Sequence, residues 1–235
     1  MLRIIYSMGF EGIRTLARER LSEVQQLLNH IVLLEPEDAF TPHPAEVKIL
    51  RGLFYVHLYG ALEKSINEAV QNTLKLISSH NIPAKYYELS FGSIAARGKL
   101  QAFKTCKLKA YNNNAASIFA VMDSVEISNI DESQFSDALM NVWTNSILEV
   151  FHSLGIAGFG VEPRVRTTID ELVENRNKVA HGRESALVVG ERHRSIVLRE
   201  KFSIITTLID SVITSLEGFY DSRAFLKNGQ RAAYL

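Results

Sequence analysis

The chain has 235 residues, of which 46% are apolar and 22% are charged, and its formal net charge is zero. This composition excludes a disordered chain or a fibre, and any nucleic-acid binding must come from a local patch. The single cysteine, Cys106, excludes an internal disulfide and a cysteine-based metal site, and it favours a reducing compartment. We see neither a signal peptide nor an apolar run long enough to span a bilayer. We therefore expect a soluble cytoplasmic protein without a membrane partner.

Two long helical patterns are expected in the first third of the chain. Apolar residues follow three-and-four spacing from Phe10 to Leu33, and three prolines within residues 35–44 then predict a loop. A second helical pattern runs from about Ala45 to Ser78. Gly52 and Gly60 lie inside this pattern, and they predict a bend or a close contact with another helix.

The rest of the chain is also helical in pattern, except for its middle. Residues 85–125 mix helical and turn signals, which predicts an irregular insert with one or two short helices. Helices are expected over Ser133–Leu154, Thr168–His181 and roughly Arg192–Tyr220, the last with heptad-like apolar spacing. No sustained strand alternation and no internal repeat is visible. The sequence predicts one all-α domain over the whole chain, an antiparallel helical bundle that carries the insert.

The predicted helix over Thr168–His181 carries an arginine on a face that should be apolar. Thr168 and Glu171 match a capping box at its start, and Gly182 is typical of the left-handed residue just after a helix end. Arg176 shares one face with the apolar residues Ile169, Leu172, Val173 and Ala180. Because a guanidinium stays charged, it needs either a carboxylate inside the fold or an anion in a cleft.

Asn177 and His181 extend this polar pattern to the helix end. They are four residues apart and hence neighbours on the helix surface, with Arg176 one step around. The negative end of the helix dipole favours the protonated form of His181, and a histidine that exchanges protons suits acid–base catalysis. The alternative is purely structural. Arg176 would then pair with an acid on a neighbouring helix, for which Glu63 is a candidate, and His181 would cap a carbonyl.

The segment Leu172–Gly182, LVENRNKVAHG, resembles the signature of the HEPN superfamily. That α-helical group is marked by R-x(4–6)-H, usually with a polar residue directly after the arginine. Arg176, Asn177 and His181 match this pattern with four intervening positions. From about Ser133 to Phe219 the chain is similar to the ribonuclease-LS-type and cyanobacterial toxin-like branches, whereas the insert matches no pattern of the family.

The resemblance implies a metal-independent endoribonuclease without a cofactor, often the toxin of a toxin–antitoxin or phage-defence pair. It also implies a homodimer in which two motifs form one cleft, with a cognate antitoxin protein as a further partner. His181 would shuttle the proton, Arg176 would hold the phosphate, and Asn177 would orient the phosphate or the imidazole. The alternative is a catalytically inactive HEPN module that binds RNA, nucleotide or a partner protein.

A basic patch in the insert is a candidate RNA contact. No acidic residue occurs between Glu88 and Asp123, whereas the patch contains Arg97, Lys99, Lys104, Lys107 and Lys109. Phe103 and Tyr111 lie among these residues, and basic groups near aromatic rings suit single-stranded RNA. A solvated helix face is the alternative. We predict four RNA-binding residues, one beside the motif and three in the insert: Lys178, Lys104, Lys107 and Lys109.

Overall fold

The computed structural model describes residues 9–38 and 41–234. Over these residues the fold is an all-α bundle, which confirms the predicted fold class. In chain order its helices are α1 (Phe10–Leu34), α2 (Ala45–Ser79), α3 (Leu89–Ala95), α4 (Arg97–Thr105), α5 (Tyr111–Met122), α6 (Thr144–Leu154), α7 (Pro163–Ala180), α8 (Ala186–Glu191) and α9 (Ser195–Asp221). The predicted bounds of α1 and α2 are correct to within one residue at each end.

Helix α2 is the centre of the bundle. It packs against α1, α7, α8 and α9, so that little of its circumference is left to solvent. Phe54, Tyr55, Leu58 and Tyr59 are all buried although they occupy adjoining sides of the helix. A surface helix would bury a single stripe instead. The part of α7 that carries Arg176 therefore lies against the most enclosed element of the fold.

Two glycines allow α2 and α8 to touch. A Cβ atom at Gly52 would lie 2.0 Å from the carbonyl oxygen of Ala186, and one at Gly190 would lie 1.8 Å from that of Lys48. The close helix contact predicted at Gly52 is thus confirmed, although α8 itself was not predicted from the sequence. Gly60 differs, because a Cβ atom there would meet no atom of the described residues within 4 Å.

The insert contains the three short helices α3, α4 and α5 rather than the one or two that we predicted. Its ends are joined by backbone hydrogen bonds from Ala84 to Glu126 (3.3 Å) and from Lys85 to Ser124 (3.2 Å). Helix α3 belongs to the core, since Phe91 is fully buried among aromatic rings from the C-terminal part of the chain. Helices α4 and α5 are described throughout, and neither buries a residue.

The helix predicted over Ser133–Leu154 is wrong in its first half, where the chain forms turns before α6 begins. Side chains of α2 bind backbone groups there: Asn67 donates to the carbonyl of Leu139, and the N–H of Val142 donates to the hydroxyl of Tyr59, both at 3.0 Å. Because these partners satisfy the backbone, the segment does not need helical hydrogen bonds. Leu139 and Val142 in this segment are still buried in the core, whereas Met140 is exposed, so burial alone gave the segment its helix-like apolar spacing.

Helix α7 begins at Pro163, five residues before the predicted start at Thr168, so the capping box is wrong. Proline suits the first turn of a helix, since that turn has no partner for its N–H groups. Thr168 lies inside the helix and donates to the carbonyl of Arg164 at 3.0 Å. Glu171 accepts instead from the amino group of Lys201, at 2.6 Å.

Helix α9 starts at Ser195, three residues after the predicted start at Arg192. Contrary to our expectation, it is long and apolar enough to cross a membrane by length and composition, alone among the described helices. The core helix of a soluble protein meets the same criterion, and α9 packs against α1, α2 and α7. The apolar residues that it buries include Leu198, Ile205, Ile209, Val212, Leu216 and Phe219.

Candidate functional site

The C-terminal end of α7 presents the predicted motif. Gly182 has a φ of +65°, and its N–H donates to the carbonyl of Val179 at 3.1 Å, which confirms the predicted glycine stop. His181 is the residue that caps the helix, and its side chain is exposed. Ala180, which we predicted on the buried stripe, is exposed as well. The end of α7 at Ala180 and His181 is thus open to solvent, whereas the preceding residues of its last turn are half-buried.

Arg176 continues the buried stripe of α7, as the spacing predicts. Ile169, Leu172 and Val173 are fully buried on that stripe, and the side chain of Arg176 is 14% exposed. One terminal nitrogen of its guanidinium lies 3.5 Å from a carboxylate oxygen of Glu63 on α2. The acidic partner considered in the structural alternative is therefore present.

Three other groups surround the guanidinium of Arg176. It donates to the side-chain oxygen of Asn177 at 2.8 Å and to that of Asn141 at 3.2 Å. Its central carbon lies 3.8 Å from the centroid of the Tyr59 ring, which is within cation–π distance. The Nε atom is buried and has no hydrogen-bond partner in the described part of the chain. The guanidinium is thus fixed by one ring, two amides and one carboxylate.

The ion pair of Arg176 with Glu63 lies at an opening rather than in the interior. The side chain of Glu63 is 35% exposed, and a pair at 3.5 Å with one exposed partner is weak. Burial raises the pKa of Tyr59, with a further increase from Glu63 and an opposing effect of Arg176, so the ring below the guanidinium stays a neutral phenol. An anion that reached the opening could replace Glu63 without leaving a buried charge unpaired.

His181 is not part of this cluster within one chain. It follows Arg176 by five residues, which places it about 7.5 Å further along the helix axis and about 140° around it. Arg176 points towards α2, whereas His181 is exposed past the helix end. Among the described residues no side-chain hydrogen bond joins the imidazole to Arg176 or Asn177. The structure therefore brings together the first two motif residues but leaves the third facing solvent.

A charged cluster holds the turn that follows His181. Glu184 in that turn accepts from Lys178 at 3.3 Å and also binds Arg192. Arg192 in turn donates to the side-chain oxygen of Asn175, which is buried on α7. Lys178, one of the predicted RNA-binding residues, is thus paired with an acid and remains 33% exposed.

The other predicted RNA-binding residues, Lys104, Lys107 and Lys109, lie away from Arg176. They are exposed on or between α4 and α5, and within residues 9–38 and 41–234 none of them forms an ion pair. The rings of Phe103 and Tyr111 pack beside them, with centroids 4.8 Å apart. The insert follows the end of α2, and α2 extends for about 24 Å beyond Glu63. The structure does not bring the three lysines to the motif.

Sequence reasoning missed two residues of the site, Tyr59 and Asn141. Tyr59 precedes Glu63 by four residues on α2, so the two share a face, and this spacing could have identified it. Asn141 carries no comparable signal. It lies in the segment that the apolar spacing presented as helical, and only the folded chain brings it to Arg176.

No group of three His, Cys, Asp or Glu side chains that could hold a metal ion occurs in the part of the chain that the structure describes. Comparison with curated proteins and with solved structures gives no match. The model of the family described as RiboL-PSP-HEPN does match, over residues 17–218. This span covers most of the chain and includes α7 with its complete motif. The chain belongs to the RiboL-PSP-HEPN family and hence to the HEPN superfamily.

Proposed function

We propose that the chain is an endoribonuclease that cleaves RNA without a metal ion or cofactor. HEPN domains are generally associated with ribonucleases, which supports this assignment. The observation that carries it is the position of Arg176, whose guanidinium lies at a water-exposed opening beside Asn177 on the helix that ends in His181. A fixed guanidinium whose carboxylate partner is exposed and weakly held can exchange that partner for a phosphate.

In the proposed reaction the 2′-hydroxyl of the substrate attacks the adjacent phosphorus, and the bond to the following 5′ oxygen breaks. His181 takes the proton from the 2′-hydroxyl and returns a proton to the leaving oxygen. The products are a 2′,3′-cyclic phosphate and a 5′-hydroxyl. Arg176 holds the phosphate and stabilises the additional negative charge of the transition state, while Asn177 orients the phosphate or the imidazole.

The proposed active form is a homodimer with a composite cleft. In one chain Arg176 and His181 face different directions. A cleft that contains both groups therefore forms more readily when a second copy contributes its own motif. An exposed face of α2, in the half of the helix that precedes Glu63, suits this contact. Ile49 and Leu53 are 40% and 43% exposed there, on a helix whose other sides are packed.

A groove of about 490 Å³ marks this face of α2, and its lining is mostly apolar. The groove is lined by charges of both signs, positive at Arg20 and Lys64 and negative at Glu23. In a symmetric dimer, positive groups of one copy can therefore lie opposite negative groups of the other. Gly60 lies in the groove, and a glycine costs a helix interior about 1 kcal/mol relative to alanine. Since no residue within 9–38 and 41–234 approaches Gly60, a helix of the second copy is the partner proposed for it.

The proposed biological role is that of a toxin in a toxin–antitoxin or phage-defence system, with a cognate antitoxin protein as its inhibitor. In this role the proposed RNA cleavage harms the cell that makes the protein, and the antitoxin protects that cell. Expression of the wild-type chain should then arrest growth, and His181→Ala should relieve the arrest. Arrest by the His181→Ala variant at equal protein level would contradict a nuclease toxin.

A catalytically inactive module that binds RNA, nucleotide or a partner protein is the second candidate. The observation in its favour is that Arg176 already has two amide partners and a carboxylate. An arginine satisfied in this way serves the fold even if it never meets a phosphate.

The deciding experiment compares purified wild-type protein with two histidine variants on single-stranded RNA. His181→Ala should abolish cleavage, while the helical circular dichroism spectrum stays unchanged because the side chain is exposed. His152→Ala is the matched control, since His152 is an exposed histidine in the last turn of α6. The products of the wild type should carry a 2′,3′-cyclic phosphate. Cleavage by the His181→Ala variant would reject the proposal, and absence of cleavage by the wild type would favour the inactive module.

A further inference from the structure

The loop at residues 139–143 presents two exposed side chains beside the motif on a fixed backbone. Leu139 and Val142 are 1% and 0% exposed and anchor the loop in the core. The carbonyl of Leu139 accepts from Asn67 at 3.0 Å, and the N–H of Val142 donates to the Tyr59 hydroxyl at 3.0 Å. A loop held at both anchors in this way keeps the side chains between them in place.

Met140 and Asn141 are the residues between these anchors, and both are exposed, Met140 to 63%. The side-chain oxygen of Asn141 accepts from Arg176 at 3.2 Å, while its carbonyl accepts from the N–H of Trp143 at 2.9 Å. Its side-chain NH₂ group has no partner among residues 9–38 and 41–234. The amide is therefore oriented, with its oxygen on the guanidinium and its hydrogen-bond donors free.

We propose that Met140 and Asn141 form a subsite for the nucleobase next to the phosphate held by Arg176. This inference rests on the proposed function, because it assumes RNA at the same opening. The thioether of Met140 offers a polarisable apolar surface for the face of the base. Asn141 is the next residue of the loop, and its free NH₂ group can bind the edge of the base.

The chemistry of Asn141 determines which bases fit. Asparagine reads adenine through two hydrogen bonds, one from its NH₂ group and one to its oxygen. Arg176 occupies the oxygen here, so only the donors remain. These donors suit a base that presents a carbonyl oxygen, because the ring nitrogen that adenine offers stands beside an amino group whose acceptor on Asn141 is already taken by Arg176. The subsite thus takes uracil, cytosine or guanine in preference to adenine.

The test measures binding of single-stranded RNA hexamers to full-length protein that carries His181→Ala, so that no substrate is cleaved. We expect the uridine and cytidine hexamers to bind at least about fivefold more tightly than the adenosine hexamer, as one discriminating base contact allows. Asn141→Asp keeps an acceptor for Arg176 and removes the donors, so it should reduce this ratio to about one. Asn145→Asp is the control: it adds the same charge on exposed α6, where Asn145 binds Arg166.

The outcomes separate this subsite from the proposed ribonuclease. A ratio that Asn141→Asp leaves unchanged would overturn the subsite. Equal binding of all hexamers, or no binding of any, by the protein that carries His181→Ala alone would overturn it as well. If the wild type cleaves RNA while the ratio does not respond to Asn141→Asp, only the subsite fails. If the ratio responds but the wild type does not cleave, the subsite stands and the nuclease activity fails.

Discussion

The guanidinium carbon of Arg176 lies 3.8 Å from the ring centroid of Tyr59, and the hydroxyl of the same tyrosine accepts the N–H of Val142 at 3.0 Å. Tyr59 is 2% exposed, so neither contact is shared with water. One side chain of α2 therefore fixes both the motif arginine and the loop that carries Asn141. The two functions of Tyr59 can be separated, because the ring serves one contact and the hydroxyl serves the other.

Tyr59→Phe and Tyr59→Leu should affect stability and activity differently. Phenylalanine keeps the ring under Arg176 but leaves the N–H of Val142 unpaired, which should cost about 1–3 kcal/mol of unfolding free energy in urea titrations. Leucine also removes the ring, so Arg176 loses its position. A displaced phosphate-binding group can cost about 100-fold in rate, and we expect a loss of kcat on that scale. Equal cleavage rates for the two variants would show that the ring does not position Arg176.

The parts of this site that local patterns determine were predictable from the sequence. The position of Arg176 on the core face of α7 follows from its spacing to Leu172 and Val173. The end of the helix follows from Gly182, since glycine readily adopts the left-handed conformation that ends a helix. The start of α7 was misplaced because two start signals lie five residues apart, and Pro163 outweighs the apparent capping box at Thr168.

The contacts that complete the site were not predictable from periodicity. Asn141 reaches Arg176 only because side chains of α2 satisfy the backbone of the turns before α6, and that information is distant in sequence. Apolar spacing in that segment reflects burial against the core and not a helix. The exposure of His181 is a tertiary property as well, since it depends on where the neighbouring helices stop.

Neutralising the insert lysines should change the salt dependence of RNA binding. Each phosphate contact to single-stranded RNA contributes about 0.7 to the slope of log K against log salt concentration, so Lys104→Gln, Lys107→Gln and Lys109→Gln together should reduce it by about 2. The measurement is a fluorescence titration of labelled single-stranded RNA at several salt concentrations.

The control for this experiment removes three positive charges elsewhere. Arg18, Arg164 and Arg199 are exposed on α1, α7 and α9, and their replacement by glutamine changes the net charge equally. We expect the control variant to keep the wild-type slope. A slope that falls equally in both variants would indicate a general charge effect, and an unchanged slope in the insert variant would remove the insert from the RNA-binding surface.

A charge on the exposed face of α2 should dissociate the proposed dimer. Leu53→Lys places an ammonium group in the apolar groove, and the cost of burying it against a second copy should make the protein a monomer in sedimentation equilibrium. Ile196→Lys is the control, because Ile196 is 70% exposed at the start of α9, outside the groove. RNA cleavage should fall with dimerisation in the first variant and persist in the second. A wild-type monomer that cleaves RNA would contradict the composite cleft.

Glu35 should make the stability of the fold depend on pH, independently of the candidate site. Its carboxylate accepts from the guanidinium of the buried Arg51 at 2.5 Å and from the hydroxyl and N–H of Ser195 at 2.6 Å and 2.8 Å. It thereby caps α9 from the end of α1. Burial alone would raise the pKa of Glu35, but the bonds from Ser195 and the charge of Arg51 outweigh it and lower the pKa below 4.5.

The sign of the pH effect follows from that lowered pKa. The stabilisation is present in full above the unfolded-state pKa, near 4.5, and is lost as the pH falls through the lower folded-state pKa. Glu35→Ala should cost about 3–5 kcal/mol at pH 7, since it leaves Arg51 buried without its partner. The difference from the wild type should shrink as the pH falls below 4.5 and through the lowered pKa of Glu35, because the wild type then loses the same negative charge. Exposed Glu37 is the control, and Glu37→Ala should change the unfolding free energy by less than about 0.5 kcal/mol. A cost of Glu35→Ala that is the same at pH 3 and pH 7 in urea titrations would show that the charge of Glu35 does not stabilise the fold.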